Sequence, residues 1–197
     1  MAKSWQLLIK RFSRKRHDNG FPSDAVRYCL EATGIGLDDL STLSYHEDPW
    51  LKFQRVVSSF ASAGPFGLST FSTIIPDWLR WKLRPEKTIR QELEKLGKGK
   101  NFPKLEFGLH HRSHAAAAFY PSPFETAAVL CIDGVGEWQT TSVWWGRGTD
   151  LTQLNSISYP HSLGLLYSAF TYFCGFKVDS GEYKLMGLAP YGRPIYS

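Results

Sequence analysis

Two histidines four residues apart, His110 and His114, present their imidazoles on one face if the segment is helical, and such a pair can converge on one ion. Asp133 follows nineteen residues later at the end of an apolar run. Two histidines and a carboxylate with open positions suit a first-row metal, with iron(II) and zinc both in range. The same residues also read as three unrelated polar groups, one histidine capping a strand-to-helix turn. Asp133-Gly-Val-Gly136 forms a second constellation. Gly134 and Gly136 free the backbone so that N–H groups can face an anion such as phosphate while the acid holds a metal or a water, although a plain β-turn has the same composition. Neither a Walker lysine loop nor a GxGxxG stretch is present, which argues against a P-loop NTPase or a dinucleotide enzyme. Ser162 and Ser168 show no triad grammar.

The elements that must position these groups follow from periodicity. Leu105, Phe107 and Leu109 alternate as a strand that runs directly into His110. Ala115–Ala118 continues as a helix of small side chains able to pack closely on a neighbour. Thr126–Asp133 reads as an apolar strand, Gly134–Glu137 as a turn and Gln139–Trp145 as its β-prone partner, which together place an acid at a hairpin bend. His161–Phe173 is helix-like, and Gly175, Gly181, Gly187 and Gly192 mark loops approached closely by a backbone or a ligand. Upstream, Ser23 is placed to cap a helix ending at Gly34, and Leu43 and Tyr45 suggest an edge strand broken by His46–Pro49. Residues 50–63 and 69–97 read as helical, the second carrying an apolar stripe of Trp78, Trp81, Ile89, Leu93 and Leu96 interrupted at Pro85.

Composition bounds these readings. A chain of 197 residues with 43% hydrophobic and 15% aromatic side chains is too apolar for disorder and long enough to bury a core. No apolar run approaches the roughly 18 residues of a membrane span, and Met1–Arg16 lacks the form of a signal peptide, so a cytoplasmic address is expected, with no membrane partner. Cys29, Cys131 and Cys174 are odd in number and far apart, which fits reduced core residues better than a disulfide framework. The net charge of +5 is unevenly placed. Residues 1–16 and 80–104 hold 15 of the 23 Lys and Arg side chains, whereas residues 105–197 carry more acid than base. The excess therefore lies outside the chemically suggestive half, and nucleic acid is not expected as a partner.

Four ordered blocks carry a family resemblance: His110-His-Arg-Ser-His-Ala-Ala-Ala-Ala-Phe-Tyr-Pro-Ser-Pro-Phe-Glu125, Asp133-Gly-Val-Gly-Glu-Trp138, Ser162-Leu-Gly-Leu-Leu-Tyr-Ser-Ala-Phe-Thr171 and Ser180-Gly-Glu-Tyr-Lys-Leu-Met-Gly-Leu-Ala-Pro-Tyr-Gly192. Together with Arg11-Phe-Ser-Arg-Lys-Arg-His17 and Gly20-Phe-Pro22, they resemble the carbamoyltransferases of nodulation-factor, cephalosporin and aminoglycoside modification.

The resemblance implies an α/β fold, an incomplete actin/sugar-kinase/Hsp70-like (ribonuclease-H-like) domain with a helical insertion at about residues 50–97 and a motif core over 104–192. It implies transfer of a carbamoyl group from carbamoyl-adenylate to a hydroxyl of a small-molecule or glycan acceptor. A separate YrdC-like domain of the full enzyme makes the adenylate from ATP and carbamoyl phosphate. The divalent metal, iron(II) or zinc, would be held by His110, His114 and Asp133, and the family's fourth ligand has no counterpart here. Gly134 and Gly136 would line the phosphate loop, with Arg14 and Lys15 near anionic oxygens. His111 and Lys184 are the candidate catalytic groups, His111 for proton handling or outer support and Lys184 for meeting anionic oxygens. Met1–Lys10 departs from the glycine-containing strand and hairpin that open family members, and no YrdC-like segment follows Gly192. A truncated fragment, inactive alone, is therefore expected. The alternatives are a non-catalytic module that keeps the scaffold and works through a C-terminal partner chain and, more distantly, a sugar-kinase-like enzyme.

Overall fold

The computed structural model describes residues 12–14, 20–62, 64, 85–97 and 101–195. They fall into two units, the first ending at Ser113 and the second starting at His114.

In the first unit, helix α1 (Ser23–Thr33) ends where Gly34 adopts φ of 69°, a left-handed conformation that costs a glycine little. The Gly34 and Ile35 amides then return to Glu31 and Leu30 and satisfy the last carbonyls. Ser23 is itself the first helical residue, and Pro22 takes the capping position without a side-chain bond. A short 3-10 turn at Leu37–Asp39 leads to strand β1 (Thr42–Tyr45). Helix α2 (Pro49–Ser62) starts at a proline, and Asp48 Oδ1 accepts from the amides of Trp50 and Leu51 at 2.8 and 3.2 Å, so Asp48 supplies its cap. Helix α3 spans Pro85–Leu96. Pro85 opens this helix, where the first turn needs no amide donor, and residues 69–84 of the expected helix lie outside the described residues. The Trp78 and Trp81 part of the expected stripe lies outside the described residues. Ile89 and Leu93 are buried with Leu37, and Val26, Leu30, Leu43, Leu96 and Leu105 pack around them. Strand β2 (Lys104–Phe107) lies parallel to β1 in the register Thr42 to Lys104 through Tyr45 to Phe107.

Helix α4 (His110–Phe119) begins in the first unit and continues in the second. The second unit adds an antiparallel sheet in the order β3 (Thr126–Ile132), β4 (Gln139–Arg147) and β5 (Asp150–Ser158). It is followed by helices α5 (Leu163–Phe173) and α6 (Glu182–Leu188) and a final 3-10 turn at Ala189–Tyr191. Val129, Cys131 and Trp144 form the buried core with Ala115 and Phe119 of α4. The alanine run allows that approach. Gly146 completes it, since a Cβ there would meet the Phe119 ring at 2.7 Å.

The second half of the chain holds two elements more than periodicity suggested. Strand β5 is masked by its polar residues, and α6 is only seven residues long, follows Gly181 and contains Gly187, which corrects the placement of Gly187 in a loop. None of the three cysteines is in a disulfide, and of the three Cys131 is the buried one. Cys174 is exposed where α5 ends, which corrects its placement in a core. No helix among the described residues is long and apolar enough to cross a membrane.

Candidate metal centre

The first turn of α4 is tied to the end of β1. The Gly108 amide donates to the Tyr45 carbonyl at 2.8 Å, and the Ser113 hydroxyl lies 2.8 Å from the His46 carbonyl oxygen. A Cβ at Gly108 would come within 3.3 Å of Ser113 Oγ and 3.4 Å of the Tyr45 carbonyl, so the glycine allows this close return. His110 is thereby brought beside the residues that follow β1. Its Nδ1 is 3.6 Å from Glu47 Oε2, and its ring stands 5.6 Å from that of His46. One potential ligand atom from each of His46, Glu47 and His110 lies within 4.8 Å of the others.

Glu47 is nearly buried and is gripped by Lys52, whose Nζ donates to both carboxylate oxygens at 2.9 and 2.7 Å. Burial alone would push its carboxyl up. The interactions with His110 and Lys52 and the nearby charges of Lys52 and His46 outweigh burial and bring it down to about 2.

Asp133 occupies the β3–β4 bend and is fixed through its backbone. Its amide donates to the Thr140 carbonyl at 2.8 Å, while the Ser162 hydroxyl reaches the carbonyl oxygens of Gly134 and Asp133 at 2.6 and 3.2 Å. Ser162 also caps α5 by accepting from the Leu165 amide at 3.0 Å, so one hydroxyl joins the start of that helix to the bend. Gly164 makes the junction tight, since a Cβ there would fall 2.5 Å from the Asp133 carbonyl oxygen. The Asp133 side chain is held as well. Its Oδ1 accepts from the Gly134 amide at 2.6 Å, and Oδ2 lies 3.8 Å from Nε2 of His114.

Donors bound to one ion at about 2.1 Å stand roughly 3.0–3.4 Å apart across octahedral or tetrahedral angles. The His114 and Asp133 donors need to close by about half an ångström to share one, and the half-exposed imidazole can supply that movement. A neutral imidazole and a carboxylate also suit iron(II) or zinc chemically. His110 stands one helical turn before His114 on α4, in the i, i+4 relation that the sequence spacing requires. The adjacent Cys131 thiol is less suited to bind as a thiolate, because burial pushes its pKa up and the nearby Asp133 adds to that, against a hydrogen bond from Ser142.

The other site residues fall differently. His111 is only 1% exposed and shares the buried face of α4 with Ala115 and Phe119. The Gly134 and Gly136 amides expected to face an anion are turned inward, Gly134 to Asp133 Oδ1 and Gly136 to the Gln139 carbonyl at 2.9 Å. Hydrogen bonds within the bend thus engage both amides in this structure. Lys184 is exposed on α6 and Arg14 is exposed near the start, while Lys15 lies outside the described residues. Glu47, Ser162 as a cap and Gly164 as a contact have little signal in the local sequence. The only sequence signal for the last two is Ser162-Leu-Gly at the head of an apolar helix.

A family model described as carbamoyltransferase N-terminus matches residues 6–196. An uncharacterized protein of Synechocystis sp. is 52% identical over 189 residues, covering 95% of this chain and 31% of that protein. Nodulation protein NolNO of Sinorhizobium fredii is 32% identical over 185 residues, covering 94% of this chain and 25% of its own length. Nodulation protein NolO of Bradyrhizobium diazoefficiens is 44% identical over 85 residues, 43% of this chain and 15% of its own. The chain thus spans about a third or less of these curated relatives.

Proposed function

The chain belongs to the carbamoyltransferase N-terminus family, and on that premise we propose that it supplies the metal-holding helix and hairpin of an O-carbamoyltransferase. The reaction is transfer of a carbamoyl group from carbamoyl-adenylate to a hydroxyl of a small-molecule or glycan acceptor. ATP and carbamoyl phosphate are the sources of the adenylate. The acceptor oxygen forms a bond to the carbamoyl carbon, the bond from that carbon to the adenylate oxygen breaks, AMP departs and the hydroxyl proton is lost. Because relatives extend well beyond the length of this chain, the complete reaction is assigned to the longer assembly, with a C-terminal segment or partner chain contributing the rest.

The observation that carries this reading is the His114–Asp133 pair, held by a rigid bend beside a helix that also bears His110. His110, His114 and Asp133 would hold iron(II) or zinc, which when bound supplies positive charge for the adenylate phosphate and the departing AMP. Ser162 and Gly164 hold Asp133 in place so that its carboxylate need not reorganise. His111, buried on α4, would act through its neighbours, as outer support for the ligands or in proton handling. Lys184 and Arg14, both exposed cations, are suited to anionic phosphate oxygens. The parallel β1–β2 pair, and the antiparallel β3–β4–β5 meander followed by a helix, are pieces that an actin/sugar-kinase/Hsp70-like domain uses, and the fold is proposed on that analogy.

Calorimetric titration with zinc, and anaerobically with iron(II), tests the site. The parent and His161→Ala proteins should bind alike, while His114→Ala should lose most of the affinity, with folding of each checked by circular dichroism. Equal binding by His114→Ala and the parent would overturn the ligand assignment and favour a scaffold that works only through its partners.

A further inference from the structure

Glu47 is a nearly buried carboxylate that the proposed ligand set does not use, and its Oε2 is 3.6 Å from Nδ1 of His110. With His46 it forms a three-residue group of metal-ligating type, yet a direct cation site there fits poorly. The Lys52 ammonium already spans both Glu47 oxygens, and an added divalent ion would have to compete with that fixed positive charge at close range.

An imidazole whose Nδ1 faces a carboxylate holds its proton on that nitrogen, which leaves the lone pair on Nε2. We propose that Glu47 is a positioning residue for His110, selecting the Nδ1–H tautomer and the ring orientation that make Nε2 the donor atom toward a divalent ion. The inference rests on the metal reading given above for the ion, but not for the tautomer. Lys52 keeps the carboxylate in place, with Nζ at 2.9 and 2.7 Å from its two oxygens. The bond from Ser113 to the His46 carbonyl secures the turn of α4 that carries the ring. Glu47 itself stands two residues before the helix that holds Lys52, so the carboxylate and its counter-ion are set by one short stretch beyond β1.

The test uses the full 197-residue chain with 15N-labelled histidine, metal-free and then titrated with zinc. In the parent, His110 should show the nitrogen shifts of the Nδ1–H tautomer. Glu47→Gln should give a tautomer mixture and a zinc affinity about tenfold to a hundredfold lower, the range found when outer partners of ligating histidines are removed. Glu47→Asp keeps the charge and serves as the variant if Glu47→Gln does not fold; it should keep more of the parental tautomer than Glu47→Gln. A parental tautomer and parental affinity in folded Glu47→Gln would overturn the proposal. A loss in His46→Ala as large as in His110→Ala would also overturn it, by making the cluster a ligand set in its own right. If His110→Ala binds zinc like the parent, the metal reading fails, whereas the metal-free tautomer measurement still decides whether Glu47 positions the ring.

Discussion

Gly164 shows how one residue can decide whether the aspartate is presented correctly. A methyl group at that position would lie 2.5 Å from the Asp133 carbonyl oxygen and 2.6 Å from the Gly134 amide nitrogen. Both are backbone atoms of the bend, so no side chain can swing aside. Gly164→Ala should destabilise the chain by about 1–3 kcal/mol, toward the upper end, through overpacking against backbone. It should also weaken zinc binding more than a control such as His161→Ala. Chemical denaturation and calorimetry on the same preparations would check both effects. Unchanged stability and affinity would mean that the α5 start does not brace Asp133.

The junction of α5 and α6 depends on Glu182, which opens α6. Its carboxylate accepts from the amides of Asp179 at 2.9 Å and Gly181 at 3.2 Å and from the Ser168 hydroxyl at 3.3 Å. The Asp179 bond is the main reason that its pKa lies below the ordinary 4.5, and Asp179 sits at φ of 66°, in the left-handed region that aspartate enters more readily than most side chains. A carboxylate with a depressed folded-state pKa contributes stability that is fully present above the unfolded value and lost as pH falls through the folded one. Glu182→Gln should therefore lower the melting temperature at pH 7, and the gap to the parent should shrink as pH falls below about 4.5. A gap that is constant with pH would show that the loss came from packing and not from charge.

At the scale of the whole molecule, the second unit has a sheet that is apolar on both faces. Ala127, Val129 and Cys131 turn toward the core, and the alternate residues Leu130 and Ile132 are 61% and 54% exposed. Leu130 pairs across to Val143, and Ile132 to Thr141, which in turn pairs with the exposed Ile157. An apolar patch of this kind favours association with itself or with other apolar surfaces. Leu130→Lys should reduce self-association in sedimentation and the binding of an apolar fluorescent dye, with stability changed by about 0.5 kcal/mol or less. Undiminished association would place the sticky surface elsewhere, for example on the exposed Phe170 and Phe173 of α5.

Local patterns in the sequence determined much of this protein. Alternation at Leu105 and Phe107 and over Thr126–Asp133 specifies β2 and β3, the four-residue histidine spacing falls on a helix, and Gly34 stops α1 because a left-handed turn needs little more than the right residue. The acid at the bend was legible for the same reason. Tertiary structure alone decided which way the groups face. The bend amides of Gly134 and Gly136 turn inward because their acceptors, Asp133 Oδ1 and the Gln139 carbonyl, become available only once the hairpin closes. Strand β5, rich in polar residues, is a strand because β4 offers it a ladder. Glu47 is more than 60 residues before His110, and no local rule connects them. They meet because β1 and β2 pair in parallel, which brings the residues after both strands to the same end of the ladder.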